Sequence, residues 1–345
     1  MIPQAAFSRH DGSGPAATAR WQQALSDCIT DPQELLGLLA LDPALLPAAL
    51  AADRSFRLRV PRDFVRRMQP GNPRDPLLRQ VLPLGEELLA AEGFSGDPLA
   101  ERQHRRGPGL LQKYRGRVLV IAAGACAVNC RYCFRRHYPY EDNTPDSARW
   151  EQILAELAAD SSIDEVILSG GDPLLVSNRR LSWIVRQLDD IPHLQRLRIH
   201  TRLPVVIPDR VDEALPGLLT AGRLRPVMVV HANHPQEIDA AVRGAMERLA
   251  AAGVTLLNQA VLLRGVNDEP AALEGLSRAL FAARVLPYYL HLLDPVAGAA
   301  HFEVPEEQAL VLMRELTASL PGYLVPRLVR EIPDRPAKTP VVFRW

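Results

Sequence analysis

The chain has 345 residues, 47% of them hydrophobic and 23% charged, which is enough to bury a large core as one big α/β domain with an accessory part or as two domains. Its 40 basic and 40 acidic residues give a formal net charge of zero, which argues against a large electrostatic footprint for nucleic acid. There is no apolar run of about 18 residues and no leader-like segment, so we expect a cytoplasmic protein that does not bind membranes.

The first 110 residues are predicted to precede the catalytic part. Residues 1–20 are rich in small residues with Gly and Pro, and we expect a flexible N-terminus. Residues 21–110 contain short helical patterns, one of which starts at Asp31 and Pro32, and they predict a helical accessory region. Cys28 lies in the apolar segment 21–29, and we interpret it as a buried thiol and not as a metal ligand.

Three cysteines follow directly on an apolar run, residues 118–123, that reads as a β-strand. Cys126, Cys130 and Cys133 have the spacing CxxxCxxC. A cubane of four irons takes four ligands, so three thiolates leave one iron free to bind a small molecule. The alternatives are a zinc site completed by His137 or reduced thiols in a core. Because no second cysteine pair is present, the spacing favours an iron–sulfur cluster with one open iron.

From residue 118 onward, short apolar strands alternate with amphipathic helices, as in βα units with right-handed crossovers. We predict strands at residues 118–123, 165–168, 196–201, 226–232, 254–262 and 287–293, and helices at residues 147–159, 180–188, 236–252, 271–283 and 306–320. A complete eight-stranded barrel would need two more units. The predicted fold is therefore α/β, a partial (β/α)6 barrel over residues 111–320, preceded by the helical region and followed by a C-terminal segment, residues 321–345.

Polar motifs stand at or directly after the predicted strand ends. They are the cysteine triplet, SGGDP at residues 169–173, His200 to Arg202, His231 to His234, Asn258 with Gln259, and Asp294. A glycine pair alone usually marks a turn, and a single histidine near a strand usually makes a structural hydrogen bond. Because the carboxyl ends of parallel strands meet at one rim, we expect these motifs to surround a shared site.

Several longer blocks resemble the lysine 2,3-aminomutase family of radical S-adenosylmethionine (SAM) enzymes. These blocks are FRLRVPRDFVRRMQPGNPRDPLLRQVL, GACAVNCRYCFRRHYPY, ILSGGDPL, LRIHTRLPVVIP, HANHPQEID, TLLNQAVLLRGVND, YYLHLLDPVAGAAHF and AKTP. They extend over nearly the whole chain from about residue 20. Several are typical of this family and not of radical SAM enzymes in general.

The resemblance implies an isomerase that converts (S)-α-lysine to (R)-β-lysine with a [4Fe-4S] cluster, SAM and pyridoxal 5′-phosphate (PLP). It implies that SAM binds the open iron and, with an electron donor, yields a radical that abstracts a hydrogen from PLP-bound lysine. The product would be used by a ligase that modifies elongation factor P. A catabolic lysine 2,3-aminomutase is the alternative. A further alternative is a non-catalytic iron–sulfur or zinc protein that acts as a structural or RNA-binding module. The chain lacks basic patches interleaved with aromatic residues, which argues against this alternative.

The resemblance also implies roles for individual residues. Arg135 matches the arginine that clamps the substrate carboxylate, a role suited to a bidentate guanidinium. Asp294 and Glu331 match the two acids that hold the ε-ammonium of lysine. The positions that match cofactor contacts are Lys338, Tyr114 and Arg117 for PLP, and Gly170, Gly171, Asp172, His231 and Gln259 for SAM.

The PLP lysine can be chosen from only two candidates, because the chain contains 38 arginines and two lysines. Lys338 lies in the block that matches the family, whereas Lys113 lies in the approach to the first strand, so we expect it to be off the catalytic rim. The sequence departs from the longer aminomutases at Glu331, where they have Asp, and at residues 334–337, which replace a glycine run. The geometry of the pocket is therefore less constrained by the resemblance than its chemistry.

Overall fold

The computed structural model of the chain describes residues 19–344 and, over that range, places ten strands in one sheet. The predicted flexible terminus, residues 1–20, therefore falls almost entirely outside the described residues. The strands are β1 Arg105–Gly107, β2 Leu110–Leu111, β3 Arg117–Ala123, β4 Glu165–Gly170, β5 Arg196–Thr201, β6 Arg225–Val230, β7 Thr255–Val261, β8 Leu286–His291, β9 Arg327–Arg330 and β10 Thr339–Pro340.

Strand order in the sheet follows chain order, and neighbouring strands from β3 to β9 pair in parallel. Antiparallel pairs β1–β2, β2–β3 and β9–β10 form the two ends, and these ends are not joined, so the barrel stays open. The six predicted strands are confirmed as β3 to β8. A further parallel strand, β9, was not predicted, because four residues with an arginine at each end have no clear hydrophobic period.

Helices cover the outside of the barrel, and five short α-helices lie in the accessory region. The α-helices are α1 Arg20–Ser26, α2 Pro32–Leu38, α3 Leu46–Asp53, α4 Arg62–Val65, α5 Pro76–Arg79, α6 Ser147–Ala159, α7 Asn178–Asp189, α8 Leu203–Val206, α9 Ala214–Thr220, α10 Ala240–Ala251, α11 Pro270–Ala282 and α12 Glu306–Ser319. Helix α10 begins later than predicted, because Pro235–Glu237 forms a short 3-10 turn and the Asp239 side chain caps the helix by accepting from the Val242 amide.

The central strand β4 is buried along its whole length, as expected for a parallel strand covered on both faces. One continuous group of buried apolar side chains runs from Trp21 and Leu35 in the accessory helices to Val166 and Leu290 in the barrel. The accessory region therefore packs directly on the barrel. No helix among residues 19–344 is both long and apolar enough to cross a membrane.

Candidate active site

A cavity of about 420 Å³ opens at the carboxyl ends of strands β3 to β8. This volume is in the range of small-molecule and cofactor sites. Every site residue named from the sequence lines it: Cys126, Cys130, Cys133, Tyr114, Arg117, Arg135, Gly170, Gly171, Asp172, His231, Gln259, Asp294, Glu331 and Lys338. The motifs at the strand ends thus face one space, as expected from the geometry of a parallel sheet.

The cysteine loop follows β3 and is held from behind by the accessory region. The amide of Asn129 donates to the Arg59 carbonyl and the amide of Arg131 to the Gln80 carbonyl, each at 2.9 Å. The Arg131 guanidinium is buried and pairs with Glu87, with Nε 2.8 Å from Oε1. These contacts attach the cysteine loop to the accessory region.

The three thiols are close enough to influence one another electrostatically. Burial and then the neighbouring Cys130 raise the pKa of Cys133 to about 11, and burial followed by Cys133 raises the pKa of Cys126 well above its usual value. Thiolates at these positions therefore need a bound cation to balance their charge. The Cys28 thiol lies outside the cavity lining and contacts the Ala127 carbonyl at 3.6 Å.

A single metal ion does not fit this arrangement. Among residues 19–344, no group of three or more His, Cys, Asp or Glu side chains has the geometry to hold one ion. The His137 imidazole, which the zinc alternative requires, contacts the Ala297 carbonyl at 3.1 Å. In a cubane each thiolate binds a different iron, so the sulfurs lie farther apart than the ligands of one zinc ion.

The glycine pair after β4 lies directly against the cysteine loop. The amides of Gly171 and Asp172 donate at 2.8 Å to the carbonyls of Ala123 and Ala125. A Cβ atom on Gly171 would come 2.1 Å from the Ala125 carbonyl oxygen, and Gly170 has φ +116°. Only glycine permits this close approach.

The Asp172 carboxylate accepts four hydrogen bonds from other groups of the protein. It accepts hydrogen bonds from the Thr201 hydroxyl at 2.7 Å and from the amides of Arg202, Leu203 and Leu174 at 2.8 to 3.0 Å. Asp172 therefore ties the β4 loop to the β5 loop and leaves the backbone of the glycine pair to face the cavity.

His231 and Gln259, from neighbouring strand ends, lie on one wall. The His231 Nε2 atom is 2.9 Å from the Tyr132 hydroxyl, and its ring stacks on the Tyr132 ring. Burial lowers the pKa of His231 to about 3, so the imidazole is neutral at physiological pH. The neutral imidazole can form hydrogen bonds with a ligand in the cavity.

Arg135 is buried and forms a bidentate ion pair that the sequence did not predict. Its Nη2 and Nε atoms lie 2.6 and 2.8 Å from the carboxylate oxygens of Glu101, and its Nη1 atom lies 3.0 Å from the Ser169 hydroxyl. The guanidinium is thus oriented for a carboxylate. Glu101 comes from a short 3-10 helix before β1, and nothing in its sequence surroundings signals that it reaches this cavity.

Glu331 is the meeting point of three side chains. Lys338 Nζ lies 2.5 Å from Oε2 and Lys113 Nζ 2.9 Å from Oε1, and the Tyr114 hydroxyl also donates to Oε1. Burial alone would raise the pKa of Glu331, but the Lys338 ammonium and the hydrogen bonds lower it to about 2. The expectation that Lys113 lies off the catalytic rim is wrong, because the chain before β3 turns its side chain into the cavity.

The pKa of Asp294 is raised, whereas that of Glu331 is lowered. Burial raises the pKa of Asp294 to about 7, although nearby Lys338 lowers it, and its Oδ1 atom has no hydrogen-bond partner. The Nε2 atoms of His200 and His291 are likewise buried without a partner at the cavity wall. Buried polar atoms without partners are costly, so these three groups are placed for ligands that supply the missing bonds.

The chain is similar to several known proteins. Residues 120–273 match the family model described as the radical SAM superfamily. The chain is 53% identical to the L-lysine 2,3-aminomutase of Escherichia coli over 93% of this chain and 94% of the relative. It is 50% identical to the L-lysine 2,3-aminomutase of Haemophilus influenzae over 92% and 94% of the two chains. A solved radical SAM methyltransferase from Sphaerobacter thermophilus is a weaker match, with TM-score 0.45 and 17% identity over 64% of this chain and 68% of that one.

Proposed function

The chain belongs to the L-lysine 2,3-aminomutase family of radical SAM proteins, and on that premise we propose that it converts (S)-α-lysine to (R)-β-lysine. The observation that supports this most is that one cavity contains both a basic group, Arg135, and an acidic group, Asp294. The Arg135 guanidinium is oriented for a carboxylate, whereas the buried Oδ1 atom of Asp294 has no hydrogen-bond partner. An amino acid with a cationic side chain has a carboxylate for Arg135 and an ammonium for Asp294.

Arg135 and Asp294 would fix the two ends of the substrate. Lysine's carboxylate would bind to the Arg135 guanidinium, in competition with Glu101 or at the Nη1 edge now facing Ser169. Its ε-ammonium would bind to Asp294 and keep that carboxyl group ionised. Glu331 would be a second acidic partner only after Lys338 and Lys113 leave it. Held at both ends, the carbon chain between C2 and C3 would have a fixed position.

The cofactors of this family fit the residues that line the cavity. Cys126, Cys130 and Cys133 would hold the [4Fe-4S] cluster, the glycine pair with His231 and Gln259 would contact SAM, and Lys338 with Tyr114 and Arg117 would hold PLP. When bound, the cluster and SAM supply radical chemistry, and PLP carries the migrating amine.

We further propose that the β-lysine is consumed by a lysyl ligase that modifies elongation factor P, in the cytoplasm, with an external one-electron donor. Support comes from the sequence blocks that resemble the family and from free thiols, which persist in a reducing compartment. A catabolic use of the same product is the competing proposal.

Substrate choice tests the proposed reaction. The protein, reconstituted anaerobically with iron, sulfide, SAM and PLP, is incubated with lysine, ornithine or glutamate under a low-potential reductant. We expect β-lysine as the main product and little reaction of glutamate, whose side-chain carboxylate would meet Asp294. Preference for glutamate would refute the assignment of Asp294.

A separate assay tests whether the β-lysine is attached to elongation factor P. The reaction mixture is supplied with elongation factor P and its lysyl ligase, and the intact mass of elongation factor P is measured. We expect an added mass of one lysyl residue, which is lysine minus water, and a hydrolysate that contains β-lysine. An adduct that contains only α-lysine, while free β-lysine accumulates, would favour the catabolic alternative.

A further inference from the structure

Arg202 directly follows β5 and has no role in the proposed reaction described above. Its side chain points at the cysteine loop. Its guanidinium is buried, and its Nη1 atom lies 2.7 Å from the Cys130 sulfur and 2.8 Å from the Tyr132 hydroxyl. Among the residues that the structure describes, Cys130 is the one cysteine of the triplet whose sulfur receives a side-chain hydrogen bond.

The other edge of the same guanidinium is held by two buried side chains. Nη2 lies 2.6 Å from Gln80 Oε1 and 3.0 Å from Glu237 Oε2. Glu237 in turn accepts from the Asn233 amide at 2.8 Å and from Gln80 Nε2 at 3.1 Å. With so many bonds, Arg202 cannot turn away from Cys130, and Glu237 balances its charge.

We propose that Arg202 sets the reduction potential of the cluster by donating a hydrogen bond to the sulfur of Cys130, with Glu237 and Gln80 holding it in place. The inference rests on the proposed function, since it assumes that the cysteines bind the cluster. Hydrogen bonds to ligand sulfurs are among the factors that tune cluster potentials. One electron enters the cluster from an external reductant, and the added negative charge is stabilised by the cationic donor. Arg202 therefore makes the cluster easier to reduce without taking part in electron transfer.

In this role Arg202 is a positioning residue, and the proposal predicts the direction in which each substitution shifts the midpoint potential of the cluster. Replacing it by Lys or Gln removes the fixed bond to sulfur, so the midpoint potential should become more negative. Glu237→Gln keeps the guanidinium but removes the compensating charge, so the potential should become less negative. A purely structural ion pair would lower thermal stability in both variants and would not shift the potential in opposite directions.

The test is a redox titration of the reconstituted cluster, followed by electron paramagnetic resonance, without lysine. Arg210→Lys is the matched control, because Arg210 is also fully buried after β5 but donates to the Leu174 carbonyl. We expect a negative shift for Arg202→Lys and Arg202→Gln, a positive shift for Glu237→Gln and no shift for Arg210→Lys, each checked for iron and sulfide content.

Wild-type potentials in cluster-loaded Arg202 variants, or an equal shift in Arg210→Lys, would overturn the proposal. If the Arg202 variants fail to take up the cluster, Glu237→Gln decides, and the absence of a positive shift there would overturn it. Loss of aminomutase activity does not enter the readout, so failure of the proposed reaction is recognised separately from failure of this inference.

Discussion

The ammonium nitrogen of Lys338 lies 2.5 Å from a carboxylate oxygen of Glu331, seven residues earlier in the chain. The two residues flank the turn between β9 and β10, so the antiparallel pairing of these strands brings them together. The contact holds the amine of the candidate PLP lysine at the cavity wall.

Lys338→Ala should lose the covalent PLP adduct that borohydride traps in the wild-type protein, because its amine is the proposed attachment point. Lys113→Ala is a demanding control, since Lys113 contacts the same carboxylate. We expect the adduct to persist in this control. Peptide mapping that places the label on Lys113 would show that the wrong lysine was chosen.

The cysteines give a second prediction. Cys126→Ala, Cys130→Ala and Cys133→Ala should each fail to retain a full [4Fe-4S] cluster after anaerobic reconstitution, because two thiolates hold a cubane poorly. Cys28→Ala should keep the wild-type iron and sulfide content. Burial raises the pKa of Cys28 to about 11, so it stays a thiol. A loss of iron in Cys28→Ala would contradict the ligand assignment.

Asp294→Asn tests recognition of the substrate ammonium. Removing one partner of a buried charge pair typically costs about 3 to 5 kcal/mol, so kcat/KM for lysine should fall by about 100-fold or more while SAM and PLP still bind. A structural capping role would cost only about 1 kcal/mol of stability and leave turnover unchanged. Near-normal turnover would show that the ammonium is bound elsewhere.

The raised pKa of Asp294 adds a pH dependence. The carboxyl group is protonated below its pKa of about 7 and charged above it, so KM for lysine should fall as the pH rises through 7, and Asp294→Asn should remove this trend. Because the folded-state pKa of Asp294 lies above the usual aspartate value of 3.8, the contribution of this group to the stability of the protein is lost as the pH rises towards 7. Thermal denaturation of both proteins against pH measures this effect.

Gly171→Ala should disturb the cysteine loop, since the added Cβ would collide with the Ala125 carbonyl. We expect weaker SAM binding, measured by calorimetry, and a lower cluster content. Gly217→Ala is the matched control, because Gly217 lies in helix α9 with nothing within 4 Å of a new Cβ. Alanine there should stabilise the helix by about 1 kcal/mol. Wild-type SAM affinity in Gly171→Ala would contradict the close-approach argument.

The barrel strands and the rim of motifs could be predicted from the sequence because each depends on local patterns. Apolar runs such as residues 165–168 mark buried strands, and polar residues that follow them must face the same rim. Strands β1, β2 and β10 were not predictable, since two or three residues carry no periodic signal.

Contacts between distant parts of the chain could not be predicted from the sequence either. Glu101 reaches Arg135 and Gln80 reaches Arg202 from the accessory region, and the pairing depends on how that region packs on the barrel. The family resemblance implied that Glu331 binds the substrate ammonium. In the folded protein two lysines and a tyrosine donate hydrogen bonds to its carboxylate. Partners of a carboxylate follow from tertiary structure and not from spacing.

The proposed reaction is tested most directly by following the nitrogen. Lysine labelled with ¹⁵N at the α-amino group and ¹³C at C3 is incubated anaerobically with the reconstituted protein, SAM, PLP and a low-potential reductant, with Cys130→Ala as the blank. The account predicts that a one-bond ¹³C–¹⁵N coupling appears at C3 in the product, because the α-nitrogen moves to the neighbouring carbon. Unchanged lysine, or release of the label as ammonia, in protein that cleaves SAM would contradict it.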